Sequence, residues 1–288
     1  MVAGIENVTA LERLGHGDDL RSFCAAILPA PSPFDATMIN EAVFGLSRLR
    51  EVFETQAVSP TRLLEVGAGH AILSSYLACR GFAVTAVEPL TDGFENFSDL
   101  HARTVAHAAA AGAALTVLGC SIAEIDLHDV FDVVFCVNAL EHMKDPIGAV
   151  DVMHRAVRPG GLVLVHCPNY DVPFDSHLGI VLISRNKRVN EWIFRRRIER
   201  RREIWDGLTF VRHSTLRRHF AAKGYHVAFN GRTLEQAIVR LGEDPVFSAR
   251  MPRPLRAAAR LLARPQVVAA LRRLPPRFQT PMEFVLSK

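Results

Sequence analysis

The sequence predicts an α/β chain built on a parallel, doubly wound sheet. Three observations predict it. Apolar, β-like runs alternate with helical ones between residues 62 and 167, the pattern of repeated strand–helix–strand units. The first run, Leu63-Leu64-Glu65-Val66, passes through Gly67 and Gly69 and becomes helical again by Ser74. A second run, Phe82–Glu88, ends in an acid 19 residues after Gly69.

Taken in order, residues 1–30 show weak helical patterning broken by Gly15 and Gly17, and Pro31 and Pro33 mark a break. Ile39, Val43, Phe44, Leu46, Leu49 and Phe53 then recur at helical spacing. Strands are expected at 62–66, 82–88, 115–118, 131–137 and 162–167, with helices at 70–80, about 94–111 and 146–157. Gly81 and Gly112 stop the first two helices, and Pro159-Gly160-Gly161 forms a turn. From Pro168 to about Gly207 the pattern lapses, over a span far longer than an ordinary αβ connection of about 2–6 residues. Ser214–Lys223 reads as a helix stopped by Gly224, Tyr225–Phe229 as a strand, and Met282–Leu286 as another.

Glycines one residue apart after a strand let the backbone approach a ligand closely. The following helix N-terminus favours polar or anionic ligand atoms. Glu88, at the tip of the second strand, is placed to accept hydrogen bonds from both hydroxyls of a ribose. The unit therefore reads as nucleoside-binding, with a ligand-free βα turn as the bland alternative. A dinucleotide fingerprint is disfavoured, because Ile72 stands where glycine or alanine is required and Glu65 precedes the first glycine by two.

Five segments occur in a telling order: Glu65–Gly69, Val87-Glu88-Pro89, Gly119-Cys120-Ser121, Phe131–His142 and Arg158–Leu162. Together they resemble the sequential motifs of class I S-adenosylmethionine-dependent methyltransferases, firmly over about residues 60–168 and more loosely over 205–230 and the last strand. One departure is Ala71, where many members carry a third glycine. The resemblance implies a Rossmann-like doubly wound sheet, mostly parallel, with an antiparallel last strand inserted between the fifth and sixth. It implies S-adenosyl-L-methionine as cofactor and S-adenosyl-L-homocysteine as product. Glu65, Gly67, Ala68 and Gly69 would surround the amino-acid part, Glu88 with Pro89 the ribose, and Ser121 with Ile122 the adenine, while Asn138 and Ala139 follow the fourth strand at the same edge. The expected organisation is an N-terminal helical cover over 1–57, a methyltransferase domain formed by 58–168 and 205–288, and a basic insertion, 169–204, over the acceptor site.

Methyl transfer from a sulfonium needs mainly alignment, with a base added if the acceptor is a hydroxyl. Asn138-Ala139-Leu140-Glu141-His142 resembles the Glu-x-x-Glu-His of ubiquinone-pathway O-methyltransferases, which can bind a divalent ion. Asn138 replaces the first acid, so no metal is expected and transfer should survive a chelator. The bland reading of Glu141-His142 is a helix-start turn. His142 and His177 are the candidate bases, with a structural loop histidine as the alternative for His177. Tyr170, Phe174 and Trp192 are the candidates to shape an acceptor pocket.

The formal net charge of +4 is unevenly spread. Residues 185–202 carry nine Lys/Arg against two Glu, and residues 245–282 carry eight Arg and no acid, leaving the remainder at −11. The bland reading is a pair of solvated faces; the functional ones are a lid for an anionic substrate, a membrane-surface contact or a nucleic-acid patch. Five widely spaced cysteines suggest reduced thiols, and no apolar run of membrane-spanning length or signal pattern stands out, so a cytoplasmic location is expected, with peripheral membrane contact open. The leading expectation is methyl transfer to oxygen, hydroxyl or carboxyl, of a small molecule that is anionic or lipid-like, by a monomer or homodimer. Alternatives are an N- or C-methyltransferase, a nucleic-acid methyltransferase and a non-catalytic nucleoside-binding protein. The nucleic-acid reading is disfavoured because Asn138-Ala139-Leu140-Glu141 lacks the Asn/Asp-Pro-Pro-aromatic turn.

Overall fold

Short N-terminal helices, Ala10–Leu14 (α1) and Gly17–Ile27 (α2), precede a long one, Pro33–Gln56 (α3). The computed structural model describes residues 9–56, 58–89, 95–251, 256–257, 259 and 262–288. Thr9 and Glu12 close a capping box on α1, so the side-chain signal that starts this helix is local. Helix α3 outruns the periodic apolar stretch from Ile39 to Phe53 at both ends.

The central elements follow the predicted alternation: Arg62–Val66 (β1), Ile72–Cys79 (α4), Ala83–Val87 (β2), Glu95–Ala110 (α5), Leu115–Leu118 (β3), Phe131–Val137 (β4), Pro146–Ala156 (α6) and Val157–Cys167 (β5). The expected start of α5 at 94 falls outside the described residues. Strand β1 pairs in parallel with β2 and β4, and β2 with β3. Their cores, such as Val133–Cys136, are fully buried, as strands covered on both faces must be. Strand β5 starts five residues before the predicted 162. Gly160 and Gly161, read as part of a turn, exchange backbone hydrogen bonds with Lys288 at 2.7 and 3.3 Å and so extend the ladder.

After β5 come a small hairpin, Phe174–Asp175 (β6) and Ile180–Val181 (β7), then Lys187–Glu199 (α7), Arg202–Gly207 (α8), His213–Lys223 (α9) and His226–Phe229 (β8). Thr233–Glu243 (α10), Pro245–Arg250 (α11), Pro265–Leu271 (α12) and Met282–Ser287 (β9) complete the described elements. Arg253, Leu255, Arg260 and Leu261 of the second basic stretch lie outside the described residues. The seven-stranded sheet has the order β3-β2-β1-β4-β5-β9-β8, with β8 and β9 antiparallel. The last strand in sequence is thus inserted before the edge, as the resemblance implied.

The chain divides into two compact units. One takes in the chain up to Val137, Val152–Leu164 and Lys288; the other takes Asn138–Asp151 and Val165–Ser287. In the first, Asp132 ties the starts of β1, β4 and β5 together. Its carboxylate accepts from the Thr61 and Arg62 N–H groups at 2.6 and 2.8 Å, from the Thr61 hydroxyl at 3.0 Å, and from Arg158 Nε. In the second, the stretch that lacked a sequence pattern builds its own core. Tyr170, Leu178, Ile180, Leu182, Ile198, Trp205 and Leu208 are buried together, with Phe194 and Phe210 packed on them. Lys187 Nζ lies over the Trp205 ring at 5.4 Å and donates to the Trp205 carbonyl at 2.6 Å. Among the described residues no helix is long and apolar enough to cross a membrane.

Burial alone would raise the Asp132 carboxyl, but hydrogen bonds from the Arg62 and Thr61 N–H groups, then Arg158 and the Thr61 hydroxyl, outweigh it and hold it at about 2. A carboxyl depressed in the folded state contributes stability above its ordinary value of about 3.9 and loses it as the pH falls toward 2. Asp132→Ala is therefore expected to cost about 1.5–3 kcal/mol in urea unfolding at pH 7. The gap to the wild type should shrink below about pH 4; a gap unchanged between pH 7 and pH 2.5 would contradict the assignment.

Candidate functional site

In the first unit, the chain leaving β1 makes a tight turn in which Gly67, Gly69 and Ala71 all take positive φ, at 76°, 53° and 52°. The Gly67 and Ala68 N–H groups donate to the Val87 carbonyl at 2.9 and 3.2 Å, which seats the turn on the end of β2. Ala71 adopts the conformation that suits a glycine, at a cost of about 1–2 kcal/mol, which explains why a glycine is common at this place in the resembling enzymes. The Gly69 N–H donates to Glu88 Oε2 at 2.8 Å, and the Ser74 hydroxyl donates to Glu65. Both predicted cofactor acids thus brace the turn. Pro89, next in the chain, is exposed. Ser121 caps the short turn Ile122–Glu124: its hydroxyl accepts from the Ala123 N–H at 3.3 Å, and its own N–H donates to Glu124 at 2.8 Å. Ile122 is buried.

In the second unit, Asn138 follows β4 with φ 54° and donates its N–H to the His166 carbonyl at 2.8 Å. Ala139 leads into a short turn, Leu140–His142. Thr209 fixes that turn, its N–H and hydroxyl donating to the Glu141 carbonyl at 2.8 and 2.9 Å. The Glu141 side chain is fully buried, and neither carboxylate oxygen receives a hydrogen bond of good geometry among the described residues. His177 stands between Glu141 and Asp175, with Nε2 3.5 Å from Glu141 Oε1 and Nδ1 3.2 Å from Asp175 Oδ2. Asp175 also accepts from the Tyr170 hydroxyl and the Leu178 N–H, both at 2.7 Å. His142 lies edge-to-face with His177, ring centroids 5.3 Å apart, and its Nε2 is 4.0 Å from the same Glu141 oxygen. The two candidate bases, 35 residues apart in sequence, share one carboxylate.

A family model for a methyltransferase domain matches residues 34–228, more than half of the chain. The chain belongs to the class I S-adenosylmethionine-dependent methyltransferases. It is 30% identical over 281 residues to an uncharacterized protein of Mycobacterium tuberculosis, covering 93% of this chain and 92% of that one. It is 29% identical over 128 residues to the ubiquinone biosynthesis O-methyltransferase of Pseudomonas aeruginosa, covering 42% of this chain and 50% of that enzyme. Among solved structures, phosphoethanolamine N-methyltransferase 2 of Haemonchus contortus, in complex with S-adenosyl-L-methionine, aligns with a TM-score of 0.46 at 17% identity, over 79% of this chain and 48% of that one.

The two candidate bases carry different charges. Burial would lower His177, but its hydrogen bond to Asp175 and the nearby charges of Glu141 and Asp175 raise it to about 10. It is an imidazolium at neutral pH. His142 is shifted down by burial, with the Glu141 charge opposing and the His177 charge adding to the shift, so its ring is neutral. In the glycine turn, burial raises the Glu65 carboxyl to about 8 against donation by Ser74, and the Glu88 charge adds to it.

Glu141, His142 and His177 offer ligand atoms within 4.8 Å of one another, and the imidazolium form of His177 competes with a divalent ion there. Both His177 nitrogens face carboxylate oxygens, and an imidazolium has no lone pair to give. Glu141 and His142 remain, two donors where a hard cation wants about six, and Asn138 replaces the acid that the metal-binding pattern would add.

Of the expected acceptor residues, Tyr170 is buried, stacked on Phe210 at 4.6 Å and bonded to Asp175. Phe174 is half-buried beside Asp175 on β6. Trp192 is 83% exposed on α7. Asp175 was not singled out in the sequence; an acid two residues before a histidine at the end of an apolar run was its available signal. Asp175→Asn should move the His177 titration far below 10, followed by histidine ¹⁵N NMR, because burial then acts with less opposition. An unmoved titration would contradict the clamp.

Proposed function

We propose that this methyltransferase moves a methyl group to an oxygen, hydroxyl or carboxyl, of a small-molecule acceptor, and that Glu141, His142 and His177 handle that oxygen. The observation that carries the reading is a neutral imidazole and an imidazolium held on one buried carboxylate. A neutral imidazole beside the acceptor can take a hydroxyl proton as the oxygen reacts. S-adenosylmethionine, when bound, supplies an electrophilic methyl on a sulfonium. His142 takes the acceptor's hydroxyl proton on its free ring nitrogen as the oxygen–carbon bond forms, and the electron pair of the broken bond leaves with sulfur. His177 stays protonated, held by Asp175, and offsets the charge that develops on oxygen. A carboxylate acceptor needs no base.

For the cofactor we take Glu65, Gly67, Ala68 and Gly69 at the amino-acid part, Glu88 and Pro89 at the ribose, Ser121 and Ile122 at the adenine, and Asn138 and Ala139 after β4. Support comes from the family's motif order and from Glu88. One of its oxygens accepts the Gly69 N–H, and the other accepts no hydrogen bond among the described residues, which suits a ribose hydroxyl. The 169–204 insertion is proposed to form part of the acceptor pocket, since it carries Asp175 and His177.

Two outcomes test this. His142→Gln should lower turnover of a hydroxyl acceptor by about 10²-fold or more with unchanged cofactor affinity, and the acid limb of the wild-type rate profile should fall below pH 6.5. Equal turnover in the variant would remove His142 from the reaction. Glu65, protonated to about pH 8 without ligand, should ionise when the ammonium and sulfonium of the methyl donor arrive. Calorimetry of cofactor binding at pH 7 in buffers of different ionisation enthalpy should then show proton release, and Glu65→Gln should abolish it. Buffer-independent heats in the wild type would place Glu65 away from the cofactor's cations.

A further inference from the structure

Helix α7 and the turn after it hold a cluster of charge without counter-charge. A pocket of about 400 Å³ is lined by His177, Leu178, Arg196, Arg197, Arg200 and Arg201. Three acids of this region are engaged elsewhere: Glu191 takes Trp205 Nε1–H and Arg202, Glu199 takes Arg195 and Arg202, and Asp206 takes Arg202; the fourth, Glu203, is exposed and pairs with none of the four pocket arginines among the described residues. Among the described residues no carboxylate lies within ion-pair distance of Arg196, Arg197, Arg200 or Arg201. Arg201 donates instead to the His177 carbonyl. Arg196 and Arg197 lie in the last turn of α7 and Arg200 and Arg201 just beyond its end, so four like charges gather at one helix terminus. The last-turn arginines do meet the favourable end of the helix dipole. That accounts for one or two cations, not for four converging on one concavity.

We propose that this pocket binds a phosphate-type oxyanion carried by the methyl acceptor. Guanidinium groups match such an oxyanion through paired N–H donors. The volume falls within the range of small-molecule sites, about 300–1,000 Å³, and exceeds one phosphate, leaving room for part of the molecule that carries it. His177 belongs both to this wall and to the clamp with Glu141 and Asp175, which links the anion to the reacting end of the acceptor. Assigning the oxyanion to the acceptor rests on the reading of that cluster given above; binding of the oxyanion does not. The phosphate can belong to a soluble molecule or to a lipid headgroup, the latter suited by exposed Trp192 and Ile193 on the same helix.

The test uses the full chain without methyl donor or acceptor. Inorganic phosphate is titrated at constant ionic strength against chloride, with thermal unfolding as readout. In parallel, the protein is sedimented with phosphatidylglycerol or phosphatidylcholine vesicles. Arg197→Gln/Arg200→Gln alters the pocket; Arg188→Gln/Arg195→Gln removes the same charge outside it. Saturable stabilisation by phosphate, weakened about tenfold or more in the pocket variant and kept in the control variant, supports a soluble phosphate. No phosphate response, but retention on phosphatidylglycerol lost only in the pocket variant, supports a lipid headgroup. Neither response, or equal behaviour of the two variants, overturns the proposal. Because no methyl transfer is measured, failure here leaves the role of His142 standing, and failure of His142→Gln leaves this result untouched.

Discussion

Two carboxylates, Glu141 and Asp175, are buried with one imidazolium between them, and much of the second unit is arranged to keep them there. Buried charges are tolerated only when paired and hydrogen-bonded. Asp175 meets that condition with Tyr170, His177 and Leu178; Glu141 meets it only through its ion pair with His177. Tyr170 in turn stacks on Phe210, which packs edge-on to Trp205. Phe210 sits at φ 52°, a strained backbone for an aromatic residue. The clamp is therefore supported by the small core built between Tyr170 and Phe210, and a change in that core is felt at the histidines.

The turn after β1 shows the same economy of parts. Glu65 and Glu88 are spent on Ser74 and the Gly69 N–H, so the loop that would face a nucleoside is held in shape by the acids that would also read the ligand. Preorganisation of this kind lowers the ordering cost of binding. The raised Glu65 carboxyl is its electrostatic consequence, since a buried acid beside another acid keeps its proton until a cation arrives.

Much of the fold was legible in the sequence because it rests on local signals. Apolar runs such as Val133–Cys136, the Gly67–Gly69 turn and Gly224, which ends α9 in the left-handed region at φ 70°, each act within a few residues. The early start of β5 was not legible, because Gly160 and Gly161 find their partner at Lys288, more than a hundred residues away. The insertion was illegible for another reason. Its core residues are dispersed at no regular period, and Lys187 and Glu191 serve there as packing and hydrogen-bonding groups for Trp205. Of the site, the residues at strand ends could be read from position alone. The sharing of Glu141 by His142 and His177, and the part of Asp175, could not, because charge state follows from burial and from contacts across sequence gaps.

We propose that this cluster carries its own cation, His177, in the place of a metal ion. Histidine ¹⁵N spectra recorded while manganese(II) is added test it most directly, since the paramagnetic ion broadens any imidazole it approaches. The account predicts that the His142 and His177 signals keep their linewidths at millimolar manganese and that His177 stays doubly protonated. Selective broadening of both signals, reversed by a chelator, would contradict it.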